Sequence, residues 1–126
     1  NRTDRRKYNQ EVLISPKVER WLSAIKNAQF VYTDSFHATV FSLLFHTRFV
    51  VNSGSRKNMA SRITTLLSLA GLENLEMKDF NIDDGLSKIK EDIDWSKVDE
   101  RIRVSREFSE TWLRTAIEKA EEDCIR

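Results

Sequence analysis

The chain has 126 residues, 40% of them apolar, which is enough to bury one modest core and not two. Its 21 basic and 20 acidic residues leave a net charge of +1, which argues against nucleic acid or an anionic membrane as the main partner. Cys124 is the only cysteine, so no intrachain disulfide can form; no run approaches the roughly 18 apolar residues of a membrane span and no signal peptide is evident, and the expectation is a soluble protein of the reducing cytoplasm.

Residues 1–10 are polar and without period, and the cluster Arg2, Arg5, Arg6 and Lys7 reads as a solvated segment. Val12, Leu13 and Ile14 form a short apolar strand, after which Ser15 and Pro16 carry the cap and first-turn proline of a helix. Val18, Trp21, Leu22 and Ile25 fall on one face of that helix, which is expected to lie on the sheet with Trp21 in the core.

The stretch that organises the chain is residues 29–45, QFVYTDSFHATVFSLLF. Phe30, Val31 and Tyr32 read as a strand, Thr33, Asp34 and Ser35 are capping residues, and an apolar run of helical length follows. Phe36, Val40, Phe41, Leu43, Leu44 and Phe45 surround the helix axis, so this helix is expected to be buried on several sides. Its first turn holds His37. Unpaired backbone N–H groups and the positive end of the helix dipole meet there, so a phosphate or carboxylate can be held against the imidazole. Taken alone, such a histidine also suits a structural role. His46, late in the helix, reads as structural.

Residues 48–52 give the next strand, followed by SGSRKN at 53–58, whose small residues and two cations suit a loop facing a ligand crevice. Met59, Ile63, Leu66, Leu67 and Ala70 form an amphipathic stripe ended by Gly71 as a C-cap. Residues 73–92 are acidic and irregular, with a short apolar segment near 75–82. From Asp94, a helix cap, Trp95, Val98, Ile102, Phe108, Trp112, Leu113 and Ala116 lie mostly on one stripe of a long terminal helix.

Strands alternating with helices predict an α/β layer with a mostly parallel sheet, whose ligands bind beyond the carboxyl ends of the strands. Residues 34–37 and 52–57 both lie at such ends. The two histidines, nine residues apart, are rotated by about half a helical turn and cannot share a metal from one face. There is no cysteine pair for zinc, no glycine-rich dinucleotide or ATP fingerprint, and no nucleophile elbow around Ser35.

The stretch VYTDSFHATVFS, residues 31–42, resembles the T-D-S-F-H-G-T-V-F-S signature of the C-terminal half of polysaccharide pyruvyl transferases. The preceding Ile25-Lys26-Asn27-Ala28, the strand Phe49-Val50-Val51, and the helix with Ser61-Arg62-Ile63, Leu66-Leu67 and Gly71-Leu72 extend the resemblance over most of the chain, although only the histidine motif is specific. Ala38 stands where many relatives have glycine, and Ser35 where relatives can have an arginine that helps bind phosphoenolpyruvate.

The resemblance implies a Rossmann-like three-layer domain, the C-terminal half of a GT-B-like enzyme, so that residues 1–126 form a single domain and the other half of the cleft belongs to an N-terminal domain of the same chain. It implies transfer of a pyruvyl group from phosphoenolpyruvate to a sugar or lipid-linked oligosaccharide of a cell-surface polysaccharide, with no cofactor. His37 is then the acid/base or donor-binding residue. Asp34 orients the turn or caps the helix. Ser35 and the Phe36 amide are donor contacts by position in the motif, Ser53 and Gly54 belong to the crevice loop, and Arg56, Lys57 and Arg62 are candidate contacts for phosphate or a sugar anion. A GT-B glycosyltransferase half-domain that binds a nucleotide sugar, and a non-catalytic sugar-binding module, are the competing readings.

Overall fold

A computed structural model describes residues 17–54, 57–79 and 81–125. Within them the chain runs α1 (Val18–Asn27), β1 (Val31–Thr33), α2 (Phe36–Leu44), β2 (Phe49–Asn52), α3 (Lys57–Ala70), a 3-10 turn (Glu73–Leu75), β3 (Glu76–Met77), α4 (Ile82–Lys90) and α5 (Trp95–Ile125). The three strands form a wholly parallel sheet in the order β1-β2-β3. The expected strand at Val12-Leu13-Ile14, the helix start at Ser15-Pro16 and the basic cluster Arg2, Arg5, Arg6 and Lys7 lie outside the described residues.

β2 is the central strand, and its apolar run Phe49-Val50-Val51 is buried, as a strand covered on both faces requires. Side chains alternate across it. Val31, Phe49 and Val51 enter a core with Leu43 of α2, Ile63 and Leu67 of α3, and Val98 of α5. Tyr32 and Asn52 stand on the other face, where Tyr32 and the α4 residues Gly85 and Leu86 line a groove. The core helices α2 and α3 are thus the crossovers between successive strands, and α5 lies outside α3.

Two packing expectations are corrected. The apolar face of α1 lies on α2 instead of on the sheet: Trp21 meets Phe41 edge-on at 5.6 Å between ring centroids, Thr47 Oγ1 donates to the Ile25 carbonyl, and Val18 is exposed. In α2 the buried residues are Ala38, Thr39, Ser42 and Leu43, while Leu44 is exposed. Small side chains let the helix approach its neighbours closely, and the hydroxyls are satisfied within the helix, Thr39 Oγ1 by the Ser35 carbonyl at 2.9 Å and Ser42 Oγ by the Ala38 carbonyl at 2.8 Å.

Residues 73–92, irregular by sequence, hold β3 and α4. Asn81 caps α4 by accepting from the Asp84 amide at 3.1 Å, and Ile82, Leu86 and Ile89 recur at spacings of four and three along it. Gly85 hides that signal by sitting in mid-helix, where it faces Met77.

The start of α1 is corrected: it begins at Val18 after Lys17, which provides no side-chain cap, and not at Ser15-Pro16, whereas the end of α3 and the start of α5 follow their predicted caps. Gly71 ends α3 at φ 71°, the left-handed conformation of a C-cap, and Arg101 of α5 donates to the Leu69 carbonyl of that terminus at 3.3 Å. Asp94 accepts from the Lys97 amide at the start of α5. This 31-residue helix spans about 46 Å. Only its beginning is anchored: Val98 is buried and Trp95 and Ile102 pack against the core, whereas Phe108, Trp112 and Leu113 are exposed. Among the described residues no helix is long and apolar enough to cross a membrane.

Candidate functional site

β1 and α2 meet at the carboxyl edge of the sheet through a turn that builds itself. The Ser35 amide donates to Thr33 Oγ1 at 3.0 Å, Ser35 Oγ accepts from the Ala38 amide at 3.4 Å, and the Ser35 carbonyl accepts from the Thr39 amide at 3.0 Å. Ser35 is therefore the N-cap of α2, the role that Asp34 also fitted by sequence. Asp34 is half-buried beside it. Capping uses the Ala38 amide, which leaves the Phe36 and His37 amides at the helix end, beyond the reach of any intrahelical carbonyl.

The His37 ring is exposed on this first turn and meets the neighbouring Phe36 ring edge-on at 5.8 Å. Its imidazole is thus open on the side away from the core, next to two N–H groups and the positive end of the helix dipole. Such a position can hold an oxyanion while the ring exchanges a proton with it or with a neighbouring atom.

β2 delivers a second chain segment to the same edge. Ser53 is buried and turned into the sheet: its amide donates to the Met77 carbonyl at 2.9 Å and its hydroxyl to the same oxygen at 3.5 Å. Gly54 is exposed but presses its backbone on β3, where a Cβ would stand 1.6 Å from the Lys78 carbonyl oxygen. Only glycine fits there. Arg56 lies outside the described residues, as does the side chain of Lys57, whose backbone opens α3. Arg62, in the second turn of α3, is exposed and shares with Phe36 a cavity of about 340 Å³ bounded also by Ser61, Thr65, Leu66 and Leu69. Of the predicted residues, Phe36 and Arg62 thus line one cavity, while Ser53 and Gly54 form a turn against the end of β3.

Three residues of this edge were not singled out by sequence. Asn52 and Tyr32 are joined by a hydrogen bond of 3.1 Å across β2 and β1. Lys78, exposed just past β3, adds a cation, with the exposed Asp79 next to it. The FVVN ending of β2 signalled Asn52 only as the last residue of a strand, and β3 is too short to signal Lys78. A cavity of about 610 Å³ lies elsewhere, between α3 and α5 around Ser68, Arg101 and Ser105, and contains none of the predicted site residues.

No curated protein and no solved structure matches the chain. The stretch 2–55, which includes α1, β1, the Asp34–His37 turn, α2 and β2, matches the family model described as polysaccharide pyruvyl transferase, and the histidine motif lies within the matched stretch.

Proposed function

We propose that the chain carries part of the active site of a polysaccharide pyruvyl transferase that moves the enolpyruvyl group of phosphoenolpyruvate onto a sugar, free or lipid-linked, and closes a pyruvate ketal. The observation that carries the reading is His37, exposed on the first turn of α2 within the family-matched stretch. In this proposal residues 1–126 are one Rossmann-like half of a GT-B-like enzyme, and an N-terminal domain supplies the opposite wall of the cleft.

The chemistry asks little of the protein beyond placement and proton transfer. One sugar hydroxyl adds to C2 of the donor while C3 takes a proton and becomes a methyl group. The second hydroxyl then bonds to C2 as the C2–O bond to phosphate breaks, and its proton leaves with a base or with the phosphate. His37 is the group proposed to pass these protons, with the Phe36 and His37 amides and Arg62 holding the donor's anionic oxygens. Ser35, as cap, keeps those amides aimed outward. No metal or organic cofactor enters the scheme.

The test is phosphate release from phosphoenolpyruvate by the complete polypeptide that carries this sequence, supplied with cell-surface polysaccharide precursors. Acceptor-dependent release that falls by about a hundredfold or more in His37→Ala supports the assignment. Absence of release with every acceptor, together with no donor binding by calorimetry, overturns it and makes nucleotide sugars the next ligands to test.

A further inference from the structure

We infer that Asn52 is a positioning residue of this site, setting the course of the chain as it leaves β2 beside the Asp34–His37 turn. The inference rests on the pyruvyl-transfer reading and gives a specific role to a residue that the sequence placed only within the strand-end segment 52–57.

The register places it. Thr33 pairs with Val51 on parallel strands, so Asn52 follows the last paired position of β1 and β2 and pairs with Met77 of β3 on its other side. The half-buried carboxamide of Asn52 is used at both ends in opposite senses: Nδ2 donates to the Tyr32 hydroxyl at 3.1 Å, and Oδ1 accepts from the Gly54 amide at 3.0 Å. The amide orientation follows from chemistry, because the Gly54 N–H can only donate and must face an oxygen. One side chain therefore ties β1 to the turn after β2, at the point where Gly54 already rests on the Lys78 carbonyl. An aspartate of the same size keeps the acceptor for Gly54 but carries a negative charge, and alanine loses both bonds.

The experiment compares Asn52→Asp and Asn52→Ala in the complete polypeptide, reading KM for phosphoenolpyruvate and kcat separately, with thermal midpoints and a His37→Ala control. If those bonds set the turn, Asn52→Ala raises KM about tenfold with kcat within about threefold and the thermal midpoint little changed, while Asn52→Asp, which keeps the Gly54 bond, raises it less once salt screens its charge. A side chain that serves only the fold lowers the thermal midpoint of Asn52→Ala without moving KM; that outcome, or a wild-type KM in both variants, overturns the inference. If His37→Ala also leaves acceptor-dependent phosphate release intact, the transferase reading falls. If His37→Ala abolishes release while both Asn52 variants bind donor normally, only the role of Asn52 falls.

Discussion

Gly54 and Lys78 meet backbone to backbone: a Cβ built on the glycine would stand 1.6 Å from the Lys78 carbonyl oxygen and 2.7 Å from its carbonyl carbon. The contact lies just past β2, so it joins the turn after that strand to the residue that follows the short strand β3. No side-chain rotation relieves a clash with a carbonyl group.

Gly54→Ala is therefore expected to push β3 away from β2 and cost about 2 kcal/mol or more, read as a lowered urea midpoint. Gly85→Ala is the contrasting case. A Cβ there meets Met77 Sδ at 3.5 Å, an ordinary contact, and alanine is the better helix former by about 1 kcal/mol. That variant is expected to match or exceed wild-type stability in the same measurement.

The first turns of α5 belong to the fold and the later ones do not. Val98 is 3% exposed, whereas Phe108 is 74% and Trp112 65% exposed. Val98→Ala is expected to lower stability by about 1–3 kcal/mol, and Phe108→Ser with Trp112→Ser to change it by no more than about 0.5 kcal/mol, by chemical denaturation. The exposed side of the helix is held by ion pairs of Arg103 with Glu100 and Glu107, and of Arg106 with Glu110. Hydrogen bonding from Arg103 holds the Glu100 carboxyl below its usual range. A depressed carboxylate stabilises the helix above its unfolded value, so this contribution is lost as pH falls through the folded value, and circular dichroism should show fraying of α5 in acid.

His46 closes α2 in the left-handed conformation at φ 55°, a place where glycine is usual, and its ring repays the strain through α5. It stacks on Trp95 with centroids 5.0 Å apart and donates from Nε2 to Asp99 at 2.9 Å. Both members of the His46–Asp99 pair are solvent-accessible, with side chains 43% and 55% exposed. Double-mutant cycles should accordingly give the larger coupling for His46 with Trp95, about 1 kcal/mol, and a smaller one for His46 with Asp99 that shrinks further in salt.

Ser42 is fully buried in α2, with its hydroxyl returned to the Ala38 carbonyl. Ser42→Ala removes only a local bond and is expected to be nearly neutral. Ser42→Leu places a larger apolar side chain at this buried position, overfills the interface and is expected to destabilise by about 1–3 kcal/mol in thermal or urea unfolding.

Much of this molecule is legible locally. The capping residues, the FVV strand, the stripe of α3 with Gly71 behind it and the long terminal helix all depend on neighbours within a few residues, and the motif alone put His37 on the first turn of α2. β3 and α4 were not legible: a two-residue strand carries no period, and Gly85 lowers the helical signal where its lack of a side chain suits the packing on Met77.

What the sequence by itself determined is the alternation of strands and helices, the caps at Ser35, Gly71 and Asp94, and the placement of a histidine on the first turn of α2, because caps, turns and periodicity are short-range physics. Only the tertiary structure decided that α1 leans on α2, that Ala38, Thr39 and Ser42 form the buried side of that helix, that Gly54 rests on Lys78, and that Asn52 bridges Tyr32 to the crevice turn. Those relationships join residues distant in the chain, and they follow from strand register and close packing, which hydrophobic pattern alone does not encode.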